Sequence, residues 1–101
     1  MQEFQVTCIN KPDRLSAHEH ITHIGNTANR WRLTRESAIW RIENKREAFY
    51  TVNSTNGEKS YIGVIRPKDG KSPYLRCYAN GQWNDNLLSL SECGSECEVK
   101  G

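Results

Sequence analysis

His18, His20 and His23, together with Cys8, Cys77, Cys93 and Cys97, are the residues whose types could do chemistry in this chain. Imidazole and thiolate are the usual zinc donors, and the three histidines with Cys8 or Cys93 nearby could assemble a four-coordinate site. Their spacing fits no established zinc signature. On an extended strand His18 and His20 point to one face and His23 to the other. The expectation is therefore no metal and no cofactor, with His23 in a structural hydrogen bond and His18 and His20 in a solvated loop. Cys93-Gly94-Ser95-Glu96-Cys97 has three intervening residues and misses the C-x-x-C redox spacing. A local Cys93–Cys97 disulfide could form on air oxidation, whereas Cys8 and Cys77 read as small core residues. Nucleophile-elbow, phosphate-loop and H-E-x-x-H patterns are all missing, so the chain is expected not to be an enzyme.

Aromatic and basic residues carry more information. Arg30, Trp31, Arg32 and Arg35 lead into a helical stretch that also holds Arg41, Lys45 and Arg46. Trp31 reads as a core anchor at the helix–sheet junction. Trp40 falls on the polar side of the helix, opposite Ala38 and Ile42, where an aromatic side chain marks a contact surface. Tyr74, Arg76 and Tyr78 share one face of a strand and, with Trp83, make a second candidate surface. Partner-binding residues are accordingly expected at Trp40, Tyr74, Arg76, Tyr78 and Trp83. The same face could stack on bases, but Glu36, Glu43 and Glu47 break the positive field a nucleic-acid site needs.

These side chains must be positioned by the elements around them. Phe4, Val6 and Cys8 alternate with polar residues over Phe4–Ile9, the period of a half-buried strand, and His20–Gly25 reads as a second strand. Thr34 is a good N-cap, Glu36 lies in the first helical turn, and Ala38, Ile39 and Ile42 form a stripe, which predicts a helix near Thr34–Lys45. Three further strands are expected at Ala48–Asn53, Lys59–Arg66 and Tyr74–Ala79. Asn56-Gly57, Asp69-Gly70 and Asn80-Gly81 supply their turns. The predicted fold is α+β: an antiparallel meander of about five strands packed on one helix, in the order ββαβββ. Leu87-Leu88-Ser89-Leu90 reads as an apolar plug at a sheet edge. Residues 1–93 make a single domain and 94–101 a flexible tail.

Composition bounds the remaining choices. A chain of 101 residues is one domain, and 3 Trp, 4 Tyr and 2 Phe supply much of the core within its low 36% apolar content. A net charge of +2 is too mild for a nucleic-acid footprint. No apolar run approaches the roughly 20 residues of a membrane-spanning helix, so no membrane partner is expected. The N-terminal residues lack the pattern of a secretory signal, which makes the cytoplasm and reduced thiols the expectation.

The segment from His18 to Gly25, then Trp31, Ala38-Ile39, Ile42-Glu43, Phe49-Tyr50, Tyr74-Leu75-Arg76 and Asn86–Cys93, together resemble the bacterial domain-of-unknown-function family 3892. The likeness runs from about Phe4 to Cys93. It departs at Asn80, where the family has Asp, and at Ser91, where it has Pro. The Asp-to-Asn change keeps the turn but removes a charge. The resemblance implies a small cytoplasmic protein of bacteria or their mobile elements and carries no activity across. The function expected from all of this is a non-enzymatic protein-interaction module that binds a protein partner or self-associates. The alternatives are a nucleic-acid-binding domain and a small phage- or plasmid-borne inhibitor of a host system.

Overall fold

The computed structural model describes residues 1–101. It is α+β, with one helix and two five-stranded sheets instead of the single antiparallel meander expected. The first sheet runs β1 (Gln2–Gln5), β5 (Glu47–Val52), β6 (Lys59–Ile65), β7 (Tyr74–Ala79) and β8 (Gln82–Asn84). Neighbours from β5 to β8 are antiparallel, and β1 joins β5 in parallel. The second sheet is ordered β10 (Glu98–Val99), β4 (Trp31–Thr34), β3 (His23–Asn26), β2 (Cys8–Asn10) and β9 (Ser91–Glu92). Both of its edge strands pair in parallel. The order ββαβββ therefore gives way to ββββαββββββ.

The expected strand Phe4–Ile9 is split between the sheets. The Val6 amide donates to Tyr50 in the first sheet at 2.7 Å, and the next amide, Thr7, donates to Gly25 in the second at 2.8 Å. The switch breaks the two-residue period. Val6 and Ile9 enter the main core, whereas Cys8 is buried in a separate small cluster. His20–Gly25 is likewise not one strand, because His18–His20 forms a 3-10 turn before β3 begins at His23. Trp31–Thr34, read as a basic lead-in, is an interior strand, β4, between β10 and β3.

Helix α1 (Arg35–Glu43) starts as its cap chemistry dictates, with Thr34 Oγ1 accepting from the Ser37 amide at 3.2 Å. It ends with Lys45 at φ 54°, the Lys45 amide donating to Ile42 and the Arg46 amide to Arg41. That pair of bonds is a Schellman motif, formed here without glycine. Ala38 and Ile39 reach the core, where Phe49, Ile62, Leu75 and Cys77 from the first sheet meet Ile9, Ile24 and Leu33 from the second. Leu87, on a 3-10 turn at Asn86–Ser89, is fully buried beside them.

Residues 94–101, expected as a flexible tail, lie against the second sheet. Cys97 is buried, the Glu98 and Lys100 amides donate to Arg30 and Arg32, and Gly101 accepts from Thr34. The backbone bonds lost by fraying are here satisfied by β4.

Candidate functional site

The most developed surface is the outer face of the first sheet. Cross-strand register sets Tyr50, Tyr61, Tyr78 and Trp83 directly opposite one another on β5, β6, β7 and β8. Directly opposed aromatic pairs are a recognised unit of sheet stabilisation. Tyr78 and Trp83 meet edge-to-face with ring centroids 5.5 Å apart, and Tyr50 and Tyr61 lie 6.3 Å apart. The turn between β7 and β8 holds Asn80 and Gly81 at φ 55° and 77°. That tight connection brings Trp83 back over its neighbours.

Gly63 leaves room beneath the outer pair. A Cβ there would stand 3.1 Å from Trp83 Cη2 and 3.3 Å from Tyr78 Cε1. The indole thus lies on backbone, yet Trp83 remains 46% and Tyr78 42% exposed. Tyr74 and Arg76 alternate with Tyr78 along β7 and are half-buried. The four residues Tyr74, Arg76, Tyr78 and Trp83 therefore adjoin, and Tyr50 and Tyr61 extend them into a row. That extension was missed because Tyr50 and Tyr61 sit in runs that are apolar on both sides, and only the register reveals their shared face.

Charge on this face is already paired. Lys59 Nζ donates to Glu3 Oε1 at 2.9 Å and lies 4.2 Å from the Tyr50 ring centre. Hydrogen bonds from Lys59 and Tyr61 hold the Glu3 carboxyl below its ordinary pKa. Arg76 donates to Asp85 Oδ1 at 3.0 Å and to the Asn84 carbonyl at 3.2 Å. The face is aromatic and close to neutral.

Trp40, the other expected contact residue, is 54% exposed on α1. The Arg46 guanidinium stands 5.6 Å from its ring centre. Beside it runs a shallow cleft bordered by Ile39, Glu43, Arg66 and Pro73, with Glu43 and Arg66 bonded to each other. Trp31 is half-buried and packs with Phe4 and Phe49 around a recess of about 250 Å³ at the other end of the core.

The histidines do not gather. His18, expected in a solvated loop, is buried, with its Nε2 lacking a hydrogen-bond partner and 3.8 Å from Asp85 Oδ1. Burial, aided by the Arg76 charge, lowers its pKa. Asp85 opposes that shift without overcoming it, because the carboxylate is solvated and already bonded to Arg76. His20 is exposed, and His23 Nδ1 contacts Thr22 Oγ1 at 2.9 Å.

The donor group that does assemble is cysteine. Cys8, Cys93 and Cys97 have sulfur atoms within 4.8 Å of one another, all buried. Cys8 and Cys93 are joined in a disulfide where reduced thiols were expected, and Cys97, the partner considered for Cys93 on air oxidation, is a buried free thiol. Burial pushes the remaining thiol, Cys77, up to about 11, so its nucleophilic thiolate is scarce near neutrality.

Fold and surface together define a small α+β protein with one helix, two mixed sheets and an exposed aromatic row. The chain belongs to the family described as protein of unknown function (DUF3892), whose model matches residues 5–91. No curated protein and no solved structure matches it. No helix is long and apolar enough to cross a membrane.

Proposed function

We propose that the chain is a non-enzymatic protein-interaction module of the bacterial cytoplasm that docks a protein surface on the outer face of its first sheet. The observation that carries this reading is the Tyr78–Trp83 pair, exposed at the end of an aromatic row and held over Gly63. Rigid aromatic side chains give large contact area at little entropic cost, and Trp and Tyr dominate binding energy where proteins meet. The neutralised charges around them favour a protein surface over a phosphate backbone. Trp40 is the second choice of anchor, since Arg46 already covers part of its ring.

The test pairs Trp83→Ala with Trp40→Ala. Sedimentation across a concentration range reads self-association, and cross-linked capture from a bacterial extract reads a partner. Trp83→Ala should abolish whichever is seen in the native chain while the melting temperature stays within a few degrees. Loss with Trp40→Ala alone would move the site to the helix and defeat the sheet-face reading.

A second reading, single-stranded nucleic acid, is favoured by one feature: a row of π-faces across a sheet is a stacking platform. Binding of this kind must weaken steeply with salt. If an oligonucleotide leaves Trp83 emission unquenched at low salt, the second reading is removed. Action as an inhibitor of a host system is a narrower form of the protein-docking reading and would be tested on the captured partner.

A further inference from the structure

Cys93 follows β9 and Cys97 precedes β10, strands at opposite edges of the second sheet. The turn 93–97 therefore crosses the outer face of that sheet and closes over Cys8 on β2. The three cysteines form a buried cluster separate from the main core, with their sulfur atoms within 4.8 Å of one another.

What holds them together is only partly the disulfide. The Cys93 amide donates to Ile9 at 2.9 Å, and Asn10 Nδ2 donates to the Cys93 carbonyl at 3.0 Å. Cys97 is fixed by its amide, which donates to the Gly94 carbonyl at 3.1 Å, and by β10, whose Glu98 amide donates to the Arg30 carbonyl at 3.1 Å. Cys8 is anchored by its place in β2 between β3 and β9. Each backbone has its own anchor, so opening the disulfide leaves three thiols facing one point.

A second observation concerns charge. Register places Cys8, Gly25 and Arg32 in one cross-strand row. A Cβ on Gly25 would lie 2.8 Å from Arg32 Cβ, so the bare glycine lets the arginine chain pass. Arg32 Nη1 reaches Asn10 Oδ1 at 2.8 Å, while its Nε is buried without an acceptor. A buried cationic donor without an acceptor calls for nearby negative charge. Cys8 shares the arginine's cross-strand row, and a thiolate there would bring negative charge to that side of the sheet where a neutral thiol or disulfide brings none.

We propose that, in the reduced protein, Cys8, Cys93 and Cys97 form a three-coordinate thiolate site for copper(I). Soft thiolates select soft cations. Three thiolates around a metal at about 2.3 Å, the length of a zinc–thiolate bond, stand roughly 4 Å apart. Cys97 Sγ already lies within 4.8 Å of the other two, and reduction frees Cys8 and Cys93 from their disulfide. Zinc would want a fourth donor, and no His, Asp or Glu joins the group. A reducing compartment favours the open form. Reduction by a dithiol delivers two electrons and two protons to the Cys8–Cys93 bond, and the dithiol leaves as its own cyclic disulfide. Copper(I) then forms three Cu–S bonds, and one thiol proton passes to solvent for each bond formed.

The test uses the full chain, reduced anaerobically with dithiothreitol, freed of reductant, and titrated with copper(I) held by bathocuproine disulfonate. One equivalent should transfer, with a near-ultraviolet sulfur-to-copper band and three sulfurs at about 2.3 Å in copper X-ray absorption. Changes outside the ligand set already cost metal sites ~10–100-fold in affinity, so Cys97→Ser should weaken uptake ~100-fold or more. Cys77→Ser, in the main core, should bind as the native chain does. Unreduced protein should take up none. Transfer of no copper, uptake unchanged in Cys97→Ser, or a spectrum showing only two sulfurs would each overturn the proposal. The absorption spectrum of the native chain decides the matter even if a variant fails to fold.

Discussion

At the scale of single residues, His18 and Gly63 make measurable claims. Burial disfavours the imidazolium of His18, so its folded-state pKa lies below the unfolded value near 6.5. Between those two values the unfolded chain binds more protons than the folded one, and stability rises with pH. The contribution is complete above about pH 6.5 and is lost as pH falls toward the folded pKa. Melting temperature should therefore decline from pH 7 to pH 5, and His18→Gln should flatten part of that decline. His23, lowered chiefly by burial as well, supplies some of the rest. An unchanged slope in His18→Gln would show that the buried ring titrates freely.

Gly63→Ala asks a different question. The added methyl meets two exposed rings, not backbone, so the rings can move aside. The expected stability loss is below about 1 kcal/mol. Trp83 emission should shift, and docking should fall as it does in Trp83→Ala. Normal docking with a displaced indole would mean that the exact pose of the pair is irrelevant.

At the scale of elements, α1 has an improvable end. Lys45 occupies the left-handed position of the Schellman motif, where a side chain costs roughly 1 kcal/mol and glycine costs little. Lys45→Gly should raise the melting temperature by a few degrees in thermal unfolding. A decrease would mean that the lysine side chain makes a contact worth more than the strain. The helix was readable in advance because its signals are local: Thr34 caps it and the Ala38/Ile39 stripe buries it. The strands β5 to β7 were readable for the same reason, since Asn-Gly and Asp-Gly turns announce themselves; β8, the three residues after the last of those turns, was not among the strands expected. β9 and β10 were not. Each has two residues, and each depends on a parallel partner far along the chain. Trp31–Thr34 was obscured because its arginines suggested a helix approach, when Leu33 and Trp31 pack inward and the intervening Arg32 crosses Gly25. The cysteine cluster escaped for a related reason. It joins three positions that only the folded second sheet brings together, and the polar residues around Cys93 and Cys97 gave no hint of burial.

At the scale of the molecule, the Cys8–Cys93 bond spans 85 positions. A closure of that length removes much of the freedom of the unfolded chain, worth about 4–5 kcal/mol in the chain-entropy treatment. Reduction should therefore lower the melting temperature by well over ten degrees for a domain of this size, and Cys8→Ala should match the reduced protein. A reduced chain that melts as the oxidised one does would show that the bond is absent in solution or that the unfolded chain is already compact. Cys77→Ala should also destabilise, by leaving a small void in the main core. That loss should be independent of reductant.

The change of sheets between Val6 and Thr7 has a temporal consequence. The strands from Glu47 to Asn84 can zip together through short turns, and such pairings form in microseconds. Neither sheet is complete at that stage. β1 must find β5, and the residue after Val6 must find Gly25 so that β2 can settle on β3, before β9 has an edge to join. Closing loops of that length against entropy slows a chain. The six residues Phe4–Ile9 act as the pin of a hinge: until they thread both leaves, the leaves have no common axis on which to shut.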